Sequence, residues 1–231
     1  MGDLRKNVSS WLRRRRGLQA LKRRYYRRYD QISNDTKPDR YPEVFAYASK
    51  LLSRTPSDVL RLLSFGCSTG EECVSLRGYF PGAWIDGVDV NKKNIRVCEA
   101  RNQDPRIRFD VSTKNLVASR PFYDAVFAMS VLCRWPQTKE VENSAGVYPF
   151  EKFDETVRFL DSLVRPNGLL VIYNANFRFT DSDTSEHYEA LRAPGLADSG
   201  FVHLFSKENL KLRDQCYPYC VFRKLDEPHG R

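Results

Sequence analysis

The run Gly66-Cys67-Ser68-Thr69-Gly70 admits two kinds of chemistry. Small side chains between two glycines leave a backbone that a ligand can approach closely. An apolar run precedes the turn and a helical pattern follows it, so the turn joins a strand to a helix. The free N–H groups at such a helix start favour anionic or polar ligand groups. Asp89 lies 19 residues beyond Gly70, at the end of the next apolar run. An acid there accepts hydrogen bonds from the two hydroxyls of a ribose. The same run also fits Gly-x-Ser-x-Gly, the turn that presents the serine nucleophile of α/β-hydrolases, with Ser68 attacking and His187, His203 or His229 available downstream. Three features weigh against that use. The turn follows the first strand rather than several, no oxyanion-hole glycine motif precedes it, and Asp89 is placed for a ribose. A nicotinamide-dependent oxidoreductase would show G-x-G-x-x-G, which the loop lacks. A non-catalytic binding module remains a further reading.

These residues need a scaffold, and the apolar pattern supplies one. Pro42 opens a predicted helix over 42–53. Strands are predicted at 59–65, 83–89, 106–109, 122–129 and 169–173, with helices at 71–79, 91–101 and 153–164 between them. The run Arg165-Pro-Asn-Gly168 reads as the turn into the fifth strand. Residues 200–205 and 219–224 are read as the last two strands. Near-continuous apolar strands alternating with helices predict a doubly wound, mostly parallel seven-stranded α/β sheet.

The order of these motifs resembles the class I S-adenosylmethionine-dependent methyltransferases, and Gly66–Glu72 is similar to the cofactor loop of the chemotaxis-receptor methyltransferases. The resemblance runs over about residues 58–225 and implies a Rossmann-like methyltransferase fold with S-adenosyl-L-methionine as cofactor. It also implies that Gly66, Cys67, Ser68, Thr69 and Gly70 form the cofactor loop and that Asp89, followed by Val90, holds the ribose. Asp110 and Val111 fall where adenine contacts are usually found. Met129 ends the strand-four motif that contains Asp124. Two positions depart from the family pattern. Ser64 replaces the acid that often opens the first motif, losing an indirect contact to the cofactor's amino group. Ser68 replaces the middle glycine, as in the chemotaxis enzymes, whose separate N-terminal domain is not seen here.

Methyl transfer from a sulfonium is a direct displacement that depends on positioning, and it needs a base only when the nucleophile must lose a proton. Groups that touch the acceptor are expected in the segments 130–150 and 174–196 beyond the strand ends. Candidates there are Arg134, Glu142 and His187, without a base being identified. The polar run Asn174–Asp183 suits a sugar. No Asn/Asp-Pro-Pro-Tyr motif follows strand four, which lowers support for N-methylation of a base or amide. O-methylation of a polar small molecule or glycan is the expectation, and RNA or protein the alternative acceptor.

The net charge of +9 is concentrated at one end. Residues 1–30 carry eleven basic and two acidic side chains, and the remaining 201 carry 27 of each. Leu4, Val8, Trp11, Leu12, Leu18, Leu21, Tyr25, Tyr29 and Ile32 recur at helical spacing among the arginines. Residues 1–40 are therefore read as a basic amphipathic helical extension of a domain over 41–231. Its possible partners are an anionic membrane surface, nucleic-acid phosphates or the domain itself. The six cysteines have no C-x-x-C spacing, so no metal site is expected and reduced core thiols are. With no signal peptide or apolar span, a cytoplasmic protein, peripheral to a membrane at most, is the expectation.

Overall fold

A computed structural model describes residues 36–53, 59–111, 122–196, 198 and 200–226. The chain divides into Met1–Asn34 and Asp35–Arg231. The basic helical extension expected at residues 1–40 lies almost wholly outside the described residues, so the fold below is that of the second unit.

Helix α1 (Pro42–Leu52) starts at a proline whose missing N–H is no loss in the first turn, and it buries Val44, Phe45, Ala48 and Leu52 on one face. Strand β1 (Arg61–Phe65) leads into the Gly66–Gly70 turn and α2 (Glu71–Tyr79), whose first turn carries two glutamates favoured by the helix dipole. Strand β2 (Trp84–Asp89) precedes α3 (Lys92–Arg101), capped by the Asn91 side chain, which accepts from the Lys93 N–H. Then come β3 (Ile107–Val111), β4 (Tyr123–Met129), α4 (Phe150–Asp161), β5 (Val164–Tyr173), β6 (Tyr188–Leu191) and β7 (Val221–Lys224).

The seven strands form one sheet in the order β3-β2-β1-β4-β5-β7-β6. All neighbours are parallel up to β5; β7 runs antiparallel to both β5 and β6. This is the doubly wound architecture the pattern predicts. Every residue of β4 is buried, as a central strand covered on both faces requires. Its side chains alternate between two cores. Ala125, Phe127 and Met129 pack with α1, α2 and α3 residues such as Phe45, Cys73 and Ile95. Val126 and Ala128 pack with Phe153, Val157 and Leu160 of α4 on the other face.

Three expectations are corrected. Helix α4 begins three residues before the predicted start and ends at Asp161. The Arg165–Gly168 turn is a bulge within β5, because Tyr123 pairs with Val164 and Ala125 with Leu169. Arg165 there forms a 2.6 Å ion pair with Asp124, which also accepts the Arg61 N–H, so Asp124 ties the lower edge of the sheet together. The apolar run 200–205 is not a strand. Its N–H groups are taken elsewhere: Phe201 and Val202 donate to the Asn174 side chain, Leu204 to the Gln215 side chain and Phe205 to the Asn176 carbonyl. The edge strand is Tyr188–Leu191, too short and too polar to stand out from its surroundings. No helix among the described residues is long and apolar enough to cross a membrane.

Candidate functional site

The Gly66–Gly70 turn hangs from the C-terminal end of β2. The N–H groups of Gly66 and Cys67 both donate to the Val88 carbonyl, at 2.8 and 2.9 Å. Three alternate residues of positive φ shape the turn: Gly66 at 83°, Ser68 at 51° and Gly70 at 95°. Gly66 has a second constraint. A Cβ there would stand 2.5 Å from Cγ2 of Val131, in the segment after β4. The two requirements together explain a glycine at this position.

Asp89 closes the turn. Its Oδ2 accepts the Ser68 N–H at 3.0 Å, and its Oδ1 accepts the Asn91 N–H at 2.7 Å and the Asn94 side-chain amide at 3.4 Å. The carboxyl is only 3% exposed. Burial raises its pKa, and the donated hydrogen bonds pull the other way. A carboxylate offers about four lone-pair sites. Three are engaged, so the two-hydroxyl grip expected for a ribose is reduced to one open site unless the long Asn94 bond gives way. Val111 pairs with Asp89 and Asp110 with Val88, which sets both beside it at the strand ends. Val90 follows Asp89, half-buried, and Met129 closes β4, buried. The structure thus gathers the sequence-predicted cofactor residues at the C-terminal edge of β1–β4, the region where open α/β sheets bind ligands.

Thiols floor the loop. Cys98 donates to the Ser68 carbonyl at 3.4 Å. Cys67 is held well above the usual thiol range by hydrogen bonding with Cys73 and Cys98 and by burial. Four of the six cysteines are buried and free as expected, while Cys133 is half-buried and Cys216 is exposed.

Sequence reasoning gave Glu72 no role. Ser64, at the position of the missing acid, donates to Glu72 Oε1 at 2.7 Å, so a carboxyl from the first turn of α2 reaches the place the Ser64 departure left without one. Burial pushes that carboxyl up to about 8, against the Ser64 hydrogen bond and the nearby Arg40 guanidinium. The signal in the sequence was the pairing itself: an absent acid at Ser64 and an acid in the first turn of α2.

On the other side of the loop, β4 and β5 end in matched left-handed residues, Ser130 and Asn174, both at φ 58°. The Asn174 amide donates to Ser130 Oγ at 2.8 Å, and the Tyr41 hydroxyl shares a 2.6 Å hydrogen bond with the same atom. Burial raises the Tyr41 pKa, so it stays a neutral phenol. Its ring lies 4.9 Å from that of Tyr173.

The catalytic candidates do not assemble here. His187 is exposed and precedes β6, where Tyr188 pairs with Lys224; Lys224 in turn bonds the Val164 carbonyl at the start of β5. That is the sheet edge opposite the loop. Glu142 is exposed and faces Lys211 at 3.9 Å. Arg134 is used internally: its N–H donates to Asn176 and its guanidinium lies over the Tyr148 ring at 4.5 Å. Of the histidines offered as a partner for Ser68 in the hydrolase reading, His187 is at the far edge and His203 sits against Trp135 beyond β5, while His229 lies outside the described residues.

The family model described as a methyltransferase domain matches residues 23–213. This chain belongs to the methyltransferase domain family. The domain is S-adenosylmethionine-dependent, and the glycine turn, Asp89 and Glu72 are the residues fit to hold that cofactor. No curated protein matches the chain in sequence. Among solved structures, the plantazolicin methyltransferase BpumL in complex with SAH is similar at 16% identity and a TM-score of 0.42, over 58% of this chain and 46% of that one. PKMT2 from Rickettsia typhi in complex with AdoHcy is similar at 19% identity and a TM-score of 0.41, over 57% of this chain and 24% of that one. The bifunctional kinase-methyltransferase WbdD is similar at 20% identity and a TM-score of 0.45, over 59% and 29%. This methyltransferase domain therefore spans less than half the length of these three structures.

Proposed function

We propose that this protein transfers a methyl group from S-adenosylmethionine to a hydroxyl of a polar small molecule or glycan. The observation that supports the acceptor class is the polarity of the chain that follows β5, where a cleft of about 390 Å³ is lined almost wholly by polar and charged side chains. Arg178, Asp181, Asp183, Glu186, Lys207 and Glu208 are among its lining residues. Carboxylates and cations side by side suit the alternating donors and acceptors of vicinal hydroxyls. The cleft is built from residues 178–186, which overlap the end of the polar run 174–183, together with residues 206–208.

In this reading the chain's own groups position rather than react. The Gly66–Gly70 backbone and the open lone pair of Asp89 hold the nucleoside. Glu72, with Ser64 behind it, accepts the ammonium of the methionine portion. The bound cofactor supplies an electrophilic methyl on a positive sulfur. The Ser130–Asn174–Tyr41 knot keeps the ends of β4 and β5 in place around it, which is where an acceptor must be aligned for displacement.

The test is methyl transfer from radiolabelled cofactor to a panel of free sugars, glycosides and lipid-linked sugars. Labelled product with a methoxy group supports the reading. Label on nitrogen or on protein or RNA alone overturns it. The basic residues 1–30 favour a second reading, in which an anionic surface is engaged while the domain works. Deleting residues 1–30 should then abolish binding to anionic vesicles. Salt-dependent RNA binding that disappears with the same deletion points to RNA instead.

A further inference from the structure

Asn174 does more than brace Ser130. Its Oδ1 accepts the N–H groups of Phe201 and Val202, at 3.0 and 3.1 Å. Gly200 makes this approach possible, since a Cβ there would lie 2.5 Å from that oxygen. The chain is thereby pinned across the end of β5, yet the side chain it presents is a phenylalanine left 57% exposed. A single exposed apolar residue is ordinary. Here it has a partner. The ring of Trp135, from the segment after β4, meets Phe201 edge to face at 5.7 Å and 87°. His203 lies 6.1 Å from the Trp135 ring, and the Lys139 ammonium sits over that ring at 5.9 Å. An exposed ring braced by a perpendicular one, with an imidazole and an ammonium beside them, thus forms a wall at the ends of β4 and β5, where open α/β sheets bind ligands.

We propose that the exposed Phe201 ring, braced at right angles by Trp135, is the face against which a hydroxylated six-membered ring of the methyl acceptor lies. The inference rests on the methyl-transfer reading above and deepens it. An exposed aromatic ring offers an apolar face for stacking, and the His203 imidazole and Lys139 ammonium beside Trp135 suit hydroxyls at the edge of the stacked ring. A pyranose and a phenol share that chemistry.

The test makes Trp135 the reporter. In full-length protein carrying Trp11→Phe and Trp84→Phe, saturated with S-adenosylhomocysteine, Trp135 emission is followed during titration with methyl β-D-glucopyranoside and, separately, with catechol. A saturable shift with at least one probe is expected. Phe201→Ala should weaken it about tenfold, the scale of one lost aromatic contact, while S-adenosylhomocysteine affinity by calorimetry stays within about twofold. A response to the glucoside alone assigns the wall to a sugar, and to catechol alone to an aromatic acceptor. No shift with either probe while the cofactor product binds normally overturns the wall but leaves methyl transfer standing. Equal probe affinity in the Phe201→Ala protein does the same. Failure of the parent protein to bind S-adenosylhomocysteine strikes at the methyl-transfer reading itself and takes the wall with it.

Discussion

The two sides of the site are built on different principles. The cofactor side is made from near neighbours: the Gly66–Gly70 turn, bonded to Val88 and Asp89 on the adjacent strand and followed directly by α2. The side proposed for the acceptor is made from distant ones, and asparagines do the joining. Asn176 accepts the Arg134 N–H and donates to Thr138 and the His203 carbonyl. Asn209 accepts the Phe150 N–H, and its carbonyl takes the Ser144 N–H. Asn174 joins Ser130 to Phe201 and Val202. Irregular chain on the acceptor side thus has its backbone groups satisfied by side chains rather than by ladders, as buried polar groups require. One side can be broken for binding and the other for stability, and the two kinds of damage should separate.

The largest expected effect is on binding at the turn. Gly66→Arg places a Cβ where Val131 stands and demands φ near 83° from a non-glycine residue. S-adenosylhomocysteine affinity should fall more than about 100-fold, beyond 2.7 kcal/mol, with the far-UV circular dichroism of the fold retained. Calorimetry showing wild-type affinity would place the cofactor elsewhere.

Next comes Asn176→Ala, which cuts the acceptor side. It leaves the Arg134 N–H and the His203 carbonyl unpaired in a buried place, at a cost of about 2–4 kcal/mol in unfolding free energy. Urea denaturation reads the loss, and cofactor-product affinity measured on the folded fraction should remain near that of the parent. An affinity loss as large as the stability loss would mean that the two sides are one cooperative unit.

Asp89→Ala belongs to both measurements. It removes a cofactor contact and also the acceptor of the Ser68 and Asn91 N–H groups. Binding should weaken by roughly 1–3 kcal/mol, and stability should drop as well. A change in binding with no change in stability would show that Asp89 faces the ligand more than the loop.

The same contrast explains what the sequence disclosed. The cofactor side was legible because a strand, a small-residue turn, a helix and an acid follow one another at short range, and each has its own composition. The parallel strands were legible because burial on both faces makes them continuous apolar runs. The acceptor side was not. Gly200–Phe205 has the apolar content of a strand, and only the side chains of Asn174 and Gln215 and the Asn176 carbonyl, set by the tertiary fold, divert its N–H groups from a ladder. Those asparagines read as polar loop residues until the chain is folded. His187 illustrates the same limit: it lies in the segment that follows β5, yet the chain has already crossed to the opposite edge of the sheet. Glu72 was in plain view within the motif but gained meaning only through its bond to Ser64.

Glu72 provides the smallest effect and the sharpest distinction. Without cofactor its carboxyl keeps a proton up to about pH 8, whereas a glutamate in the unfolded chain releases it near 4.3. Between those values the folded protein binds more protons than the unfolded one, so the contribution of this group to stability is greatest at low pH and is lost as pH rises toward 8. Glu72→Gln, neutral throughout, should lack that slope: its melting temperature should match the parent near pH 4 and exceed it increasingly toward pH 8. Binding of S-adenosylhomocysteine should do the reverse to the parent. The ammonium of the ligand favours the carboxylate, so close to one proton should leave on binding at pH 7, seen as a buffer-dependent heat. The Gln variant should release none and bind about tenfold more weakly. A parent that releases no proton while the stability slope is present would keep Glu72 as a buried partner of Ser64 and remove it from the cofactor site.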